Sequence, residues 1–149
     1  MGGGVWAVEA GGGGLSRLLL DTCILIAIER ADPLALRFLR IVQQAGYEIA
    51  TCAIVVAEYY SGAKRGAHPD VDDLLAAAAH LPASFESAVQ AGDERRRLRT
   101  AGIQLSLPDA LIAAVVREYR PILVTQNVRD FPQTDITVRT LQSFLALTR

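Results

Sequence analysis

Residues 106–125 read SLPDALIAAVVREYRPILVT, and this stretch decides the fold class. Its first part, Ser106–Arg120, repeats apolar residues at helical spacing, and Pro121 then ends the helix. The next run, Ile122–Thr125, is apolar without alternation, which is typical of a strand buried on both faces of a sheet. A helix followed directly by such a strand is the repeating unit of an α/β fold.

The same alternation of strands and helices continues through the rest of the chain. Further strands are predicted at Leu18–Leu20, Tyr47–Thr51, Leu81–Phe85 and Ile136–Val138. Further helices are predicted at residues 33–45, Ala53–Ala63, Asp70–Leu81, Glu86–Ala101 and Leu141–Leu147. Asp32 is the expected N-cap before Pro33, and Gly46 is the expected C-terminal stop. Strands that alternate with helices predict a parallel sheet covered on both faces.

The composition is that of one folded domain. The chain has 149 residues, of which 51% are apolar and 21% charged, and this excludes an intrinsically disordered protein. No apolar run reaches the roughly 18 residues that a membrane-spanning helix needs, so no membrane partner is expected. The formal net charge of −1 provides no overall basic field, so any contact with nucleic acid has to come from a local arginine patch.

The N-terminus and the cysteines define the expected domain boundary and compartment. Residues 1–14 hold seven of the twelve glycines, so residues 1–17 are predicted to be a flexible Gly-rich leader and residues 18–149 the folded domain. The leader lacks the features of a signal peptide. Cys23 and Cys52 lie in apolar runs, which favours buried thiols and a reducing, cytoplasmic location.

Acidic and amide side chains follow the predicted strands. Asp21 follows the first strand, Glu58 lies in the helix after the second, and Asp109 lies near the start of the helix at 106–120. Asn127 and Asp130 follow the strand at 122–125. Because ligand sites in open parallel sheets lie at the carboxyl ends of the strands, these residues are predicted to gather at one end of the molecule.

Each of these acids also has a purely structural interpretation. Asp21 can cap the following helical turn, Glu58 can occupy a solvent-facing helix position, and Ser106 with Asp109 fits a capping box. The pair after the strand at 122–125 fits an Asx-type turn. Taken together, however, several carboxylates without matching cations repel one another, and Mg²⁺ or Mn²⁺ is the natural compensation. Such a site can activate water against a phosphodiester.

At these residues the sequence resembles the PIN-domain ribonucleases, in particular the VapC-type toxins of bacterial toxin–antitoxin pairs. The matching segments are Leu20–Thr22, Val56–Glu58 with Ser61–Gly62, Leu107–Ala114, and Val124–Asn127 through Asp130–Phe131. Their order fits across residues 18–149. The resemblance implies a three-layer α/β/α PIN domain with a parallel sheet of about five strands.

The resemblance also assigns roles to individual residues. The expected metal ligands are Asp21, Glu58, Asp109 and Asp130. The expected catalytic set is Asp21, Glu58, Asp109, Asn127 and Thr125. The fourth family position falls on Asn127, where many members carry aspartate, and Thr125 matches the family's hydroxyl at the site. Cys23 stands where the family commonly has asparagine or serine, so the loss of a minor polar contact is expected.

The activity that the resemblance implies is Mg²⁺- or Mn²⁺-dependent endonucleolytic cleavage of RNA, in which water attacks phosphorus to leave a 5′-phosphate and a 3′-hydroxyl. A homodimer and a VapB-type antitoxin, whose C-terminal segment covers the acidic site, are the expected partners. Four arginines are the candidate contacts to the RNA backbone, with a solvated helix face as the alternative. They are Arg95, Arg96, Arg97 and Arg99.

Two other functional classes compete with the nuclease interpretation. A non-catalytic PIN-like module that binds RNA or protein would use the acids only structurally and would not need metal. A phospho-acceptor signalling domain also places acids at strand ends, but it depends on a lysine late in the chain. The only lysine here is Lys64, in the first half, which disfavours that class.

Overall fold

The computed structural model describes residues 16–148, which form five strands and seven helices. The strands are β1 (Arg17–Leu20), β2 (Glu48–Thr51), β3 (Ala79–His80), β4 (Ile122–Val124) and β5 (Val138–Arg139). The helices are α1 (Thr22–Glu29), α2 (Pro33–Ala45), α3 (Ala53–Gly62), α4 (Pro69–Ala77), α5 (Phe85–Thr100), α6 (Leu107–Tyr119) and α7 (Leu141–Ala146). A 3₁₀ turn covers Val128–Asp130. Most of the predicted leader lies outside the described residues.

The five strands form one parallel sheet in the order β3-β2-β1-β4-β5. The chain adds strands first on one side of β1 and then on the other, so the strand order reverses at β1. Leu18, Leu19 and Leu20 point to alternate faces of the sheet, and none is more than 1% exposed. Both faces are therefore covered, which confirms the predicted three-layer α/β/α fold.

The helix signals in the sequence act as expected around α2. One carboxylate oxygen of Asp32 accepts hydrogen bonds from the backbone N–H of Leu34 at 3.0 Å and of Ala35 at 3.1 Å. Pro33 occupies the first helical position, where its missing N–H leaves nothing unpaired. Gly46 ends the helix with φ of 75°, a left-handed conformation that glycine adopts without strain.

The strand predictions were wrong at the two edges of the sheet, β3 and β5. The predicted strand at Leu81–Phe85 is replaced by β3, and the helix predicted to reach Leu81 ends at Ala77. Ala79 and His80 pair with β2, and the Leu81 N–H donates to the Thr51 carbonyl at 2.8 Å. Pairing with the sheet thus overrides the helical preference of the alanine run. The edge strand predicted at Ile136–Val138 is also displaced, to β5.

Helix α6 connects the sheet to the outer helix α5. Its buried side chains join the main core, while Ala110 and Ala114 form a second apolar cluster with Ala91 of α5 and with Leu105. This packing fixes α5 beside the N-terminal end of α6, where Asp109 lies. No helix within residues 16–148 is long and apolar enough to cross a membrane.

Candidate active site

Asp21 lies where β1 ends and α1 begins, and the fold holds its carboxylate from two sides. It is 7% exposed. Its Oδ1 accepts the Thr22 N–H at 2.8 Å as the cap of α1, and its Oδ2 accepts the Thr125 hydroxyl at 2.7 Å. The capping interpretation is therefore right for Asp21. The second bond has a different effect, because it ties the carboxylate of β1 to the residue that follows β4.

The segment after β4 is organised around Thr125 and Cys23. Thr125 is fully buried, and its hydroxyl oxygen also accepts the Asn127 N–H at 3.0 Å. The Cys23 sulfur lies 3.5 Å from that hydroxyl and accepts the Gln126 N–H at 3.4 Å. Cys23 therefore makes polar contacts of its own, with its sulfur as the acceptor for the Gln126 N–H. The turn that carries Asn127 and Asp130 is anchored to the start of α1.

Glu58 and Asp109 face Asp21 from opposite halves of the chain. Partial burial raises the pKa of Glu58, and the negative charges of Asp21 and Asp109 raise it further, while the Thr22 hydroxyl opposes the rise. Burial also raises the pKa of Asp109, helped by Asp130 and Asp21 and opposed by the Ser106 hydroxyl. The acids predicted from the sequence are therefore electrostatic neighbours at one end of the sheet. We call Asp21, Glu58, Asp109 and Asp130 the acidic cluster.

Asp109 takes part in the N-terminal cap of α6 and lies within electrostatic reach of Asp21 and Asp130. Ser106 is the N-cap, and its hydroxyl oxygen accepts the Asp109 N–H at 3.1 Å. The predicted capping box is only half formed, because the Asp109 carboxylate accepts the Ser106 hydroxyl at 2.7 Å and not the Ser106 backbone N–H. Asp109 therefore keeps most of its acceptor capacity for a group that enters the site.

The donor set of the acidic cluster fits a hard divalent cation. Within residues 16–148, none of its four acids forms an ion pair with arginine, lysine or histidine. The Thr51 hydroxyl, at the end of β2, is buried without a hydrogen-bond partner in the same range. Oxygen ligands and uncompensated negative charge are what Mg²⁺ and Mn²⁺ require. Within the described residues, however, no three acidic, histidine or cysteine side chains are arranged closely enough to hold a metal ion together.

The four candidate arginines lie in the second half of α5 and differ in their side-chain partners. Arg95 donates from Nε to the Leu105 carbonyl at 2.9 Å, next to the N-cap of α6, and Arg96 pairs with Asp93 at 3.0 Å. Arg97 and Arg99 are exposed in the last turn. Arg95 therefore has a structural contact close to Asp109, whereas Arg97 and Arg99 remain accessible to an RNA strand.

A family model of the PIN domain matches residues 18–136. This chain belongs to the PIN-domain family. Ribonuclease VapC2 of Haemophilus influenzae is 31% identical to it over 129 residues, which cover 83% of this chain and 96% of the relative. A toxin–antitoxin complex from Klebsiella pneumoniae contains a chain that is 26% identical, with a TM-score of 0.65, and covers 83% of this chain and 97% of that one.

A second solved structure shares the fold of this PIN domain at lower identity. It is VapBC2 of Rickettsia felis bound to a DNA fragment from the promoter, with a TM-score of 0.69 and 22% identity. The likeness covers 83% of this chain and 98% of that one. The family resemblance deduced from the acidic motifs is confirmed by these comparisons.

The sequence did not reveal the buried pairing of Glu94 with Arg117. Glu94 lies inside the arginine run, which suggested a solvated helix face, but it is only 7% exposed and pairs with Arg117 at 2.9 Å. Thr51, the last residue of β2, follows the strand-end rule and is buried.

Proposed function

We propose that this PIN domain is the ribonuclease toxin of a type II toxin–antitoxin pair and that it hydrolyses RNA phosphodiester bonds with Mg²⁺ or Mn²⁺. The observation that carries this proposal is the acidic cluster, whose carboxylates repel one another without a basic partner in residues 16–148. A fold that keeps such a cluster partly buried needs a cation from outside. The relationship to VapC ribonucleases supports the same activity.

Asp21, Glu58 and Asp109 are the residues that would hold the cation, with Asp130 supplying the remaining charge near Asn127. When bound, the cation lowers the pKa of water and shields the charge that develops on the phosphodiester. Thr125 orients Asp21 through the 2.7 Å hydrogen bond, so the carboxylate does not have to be ordered when substrate arrives. The expected products carry a 5′-phosphate and a 3′-hydroxyl.

The RNA strand would approach across α5. Arg97 and Arg99 are free to meet phosphates, and Arg95 and Arg96 lie on the same helix with partners of their own. Such contacts hold the backbone in register without reading its sequence. The chain's net charge of −1 makes this local patch the main source of attraction for RNA.

The proposed partners are an antitoxin and a second copy of this chain. An antitoxin segment that carries a basic side chain would compensate the acidic cluster in place of the cation, and complexes of related chains are toxin–antitoxin assemblies. We also propose a homodimer. Cys23 and Cys52 are free thiols, which fits action in the reducing cytoplasm.

The test is RNA cleavage by the purified chain, freed of any antitoxin, with Mg²⁺, with Mn²⁺ and with EDTA. We expect cleavage with either ion and none with EDTA, and we expect Asp21→Asn to be inactive with both ions. Cleavage that EDTA leaves undiminished would overturn the metal requirement. RNA that is bound but left intact in the presence of Mn²⁺ would favour the non-catalytic module.

A further inference from the structure

A second charged cluster lies on the flank of the molecule, between α5, α6 and the segment before β5. The Arg117 guanidinium donates to both carboxylate oxygens of Asp135, at 2.6 and 3.1 Å, and to Glu94 Oε2 at 2.9 Å. The other oxygen of Glu94 accepts the Gln133 side-chain amide at 2.6 Å. We call Glu94, Arg117, Gln133 and Asp135 the Arg117 cluster. These residues line a cavity of about 510 Å³.

The Arg117 cluster joins two rigid helices to a segment without regular structure. Glu94 belongs to α5 and Arg117 to α6, whereas Gln133 and Asp135 belong to the connection between β4 and β5. The helices already pack through their own apolar cluster. The contacts made by Gln133 and Asp135 therefore add little to helix packing, and their main effect is to fix the connection.

The connection that is fixed in this way is the one that carries the fourth acid. It is anchored at its start by the Thr125 hydroxyl, which accepts the Asn127 N–H. It is anchored in the middle by Phe131, which is 4% exposed, and at its end by the Arg117 cluster. Asp130 lies between these anchors with an exposed side chain and within electrostatic reach of Asp109.

The hydrogen bonds in the Arg117 cluster are of the strong type. Both acceptors are carboxylates, and the donors are the Gln133 amide and the Arg117 guanidinium, which contacts Asp135 with two N–H groups. The hydrogen bond from Arg117 lowers the pKa of Asp135, and the contact with Asp135 raises the pKa of Arg117. Each group therefore stabilises the charged form of the other. Glu94 is buried and has a partner on each of its oxygens.

We propose that the Arg117 cluster positions Asp130 for metal binding from outside the active site, through Gln133 and Asp135. This inference rests on the proposed function, in which Asp130 contributes charge to the cation site. The side chains of the Arg117 cluster form no hydrogen bond or ion pair with the acidic cluster within residues 16–148, and Arg97, one of the arginines expected to meet RNA, shares the cavity wall. They are positioning residues and take no part in the chemistry.

The experiment is a double-mutant cycle on Mn²⁺ affinity, measured by titration calorimetry on the full chain. The variant Gln133→Ala/Asp135→Asn detaches the connection and leaves the pair of Glu94 with Arg117 intact. We expect its Mn²⁺ dissociation constant to rise about tenfold, the lower end for residues outside the ligand shell. In an Asp130→Ala background the same two substitutions should have no further effect, because their target has been removed.

Two further measurements distinguish positioning from general damage. Saturating Mn²⁺ should restore the cleavage rate of Gln133→Ala/Asp135→Asn, whereas Glu48→Gln, which breaks the exposed ion pair with Arg17, should bind Mn²⁺ like wild type. Hydrogen exchange of the metal-free protein tests whether the Arg117 cluster holds the connection between β4 and β5 in place. The Asp130 and Phe131 amides, which donate to Asn127 and Val128, should exchange faster in the detached variant.

The outcomes separate this inference from the proposed function. If wild type binds no Mn²⁺, the proposed function is wrong and the positioning of Asp130 for metal is wrong with it. If wild type binds Mn²⁺ but the detached variant binds equally well, or loses as much affinity in the Asp130→Ala background, only the inference is overturned. Unchanged amide exchange at Asp130 and Phe131 would also overturn it.

Discussion

The acidic cluster and the Arg117 cluster both contain carboxylates, but only the Arg117 cluster contains a cationic side chain that neutralises them. In the Arg117 cluster, Glu94 and Asp135 share one guanidinium, and that contact lowers the pKa of Asp135. In the acidic cluster no cationic side chain of residues 16–148 pairs with the carboxylates, and the pKa values of Glu58 and Asp109 rise. The fold is thus able to neutralise partly buried acids, and it does so where the charge serves structure.

This contrast gives the two clusters opposite energetic roles. Paired carboxylates stabilise the native state, because removing a partner leaves a desolvated charge. Repelling carboxylates destabilise it until an external cation or a basic segment arrives. Substitutions that remove one charge should therefore raise stability in the acidic cluster and lower it in the Arg117 cluster.

Asp109→Asn is expected to have the largest effect, on RNA cleavage. A metal ligand is lost, so cleavage should fall by about two orders of magnitude or more, beyond the range for outer-shell residues. The metal-free variant should be as stable as wild type or slightly more so, because one repelling charge is gone. Wild type should gain about 2.7 kcal/mol at a hundredfold excess of Mg²⁺ over its dissociation constant, and the variant should lose most of that gain.

Ser106→Ala is the matched comparison for Asp109→Asn. It removes the N-cap hydroxyl of α6 and its hydrogen bond to the Asp109 carboxylate, so stability should fall by about 1 kcal/mol and cleavage by about tenfold, while the Mg²⁺-dependent rise in melting temperature remains. Thermal melts with and without Mg²⁺, together with cleavage assays, check both variants. An Asp109→Asn protein that melts lower yet keeps cleavage and its response to Mg²⁺ would make Asp109 a helix cap only.

Arg117→Ala should show the opposite behaviour in the paired cluster. It leaves Glu94 buried with a charge that only Gln133 contacts, so the free energy of unfolding should fall by about 3 kcal/mol. Arg96→Ala removes an exposed pair with Asp93 and should change it by less than about 1 kcal/mol. Urea denaturation measures both. Equal effects from the two arginines would remove the distinction between this cluster and an ordinary surface ion pair.

The smallest expected effect is a difference in pH dependence. A raised native pKa means that the folded state binds protons more readily than the unfolded chain. Glu58 and Asp109 therefore make the metal-free protein less stable as the pH rises from their ordinary pKa through the raised native pKa. Asp135, with its lowered pKa, adds stability above its ordinary value of 3.8, and this is lost as the pH falls through the lowered native value.

Melting temperatures of the metal-free protein between about pH 3 and pH 7 check these signs. Relative to wild type, Asp109→Asn should gain stability as the pH rises, whereas Asp135→Asn should lose it. Two variants with parallel pH profiles would show that the clusters do not differ in the sign of their contribution.

Local patterns in the sequence predict those parts of the fold that local interactions determine. Asp32, Pro33 and Gly46 mark the ends of α2, and the unbroken apolar runs of β1 and β4 mark strands buried on both faces. The two-residue strands β3 and β5 were misplaced, because so short a strand is defined by the partner it pairs with and not by its own residues.

The candidate site follows the same division. Asp21, Glu58 and Asp109 could be predicted, because the carboxyl ends of parallel strands converge and the family motifs mark those positions. The role of Cys23 could not, since its sulfur meets Gln126, which is distant in sequence. The Arg117 cluster was hidden for the same reason: Glu94 and Asp135 carry no local sign that they share one arginine.

The hydrogen bond from Thr125 to Asp21 spans 104 positions of the chain, and it has a consequence during synthesis. A ribosome adds about 5–20 residues per second, so Asp21 leaves the tunnel about 5–20 s before Thr125 does. The centre of the sheet also closes late, because β1 needs β4 beside it. An RNA-cleaving site built in this way cannot form on the first half of a nascent chain, so the chain acquires the site only when its synthesis is almost finished.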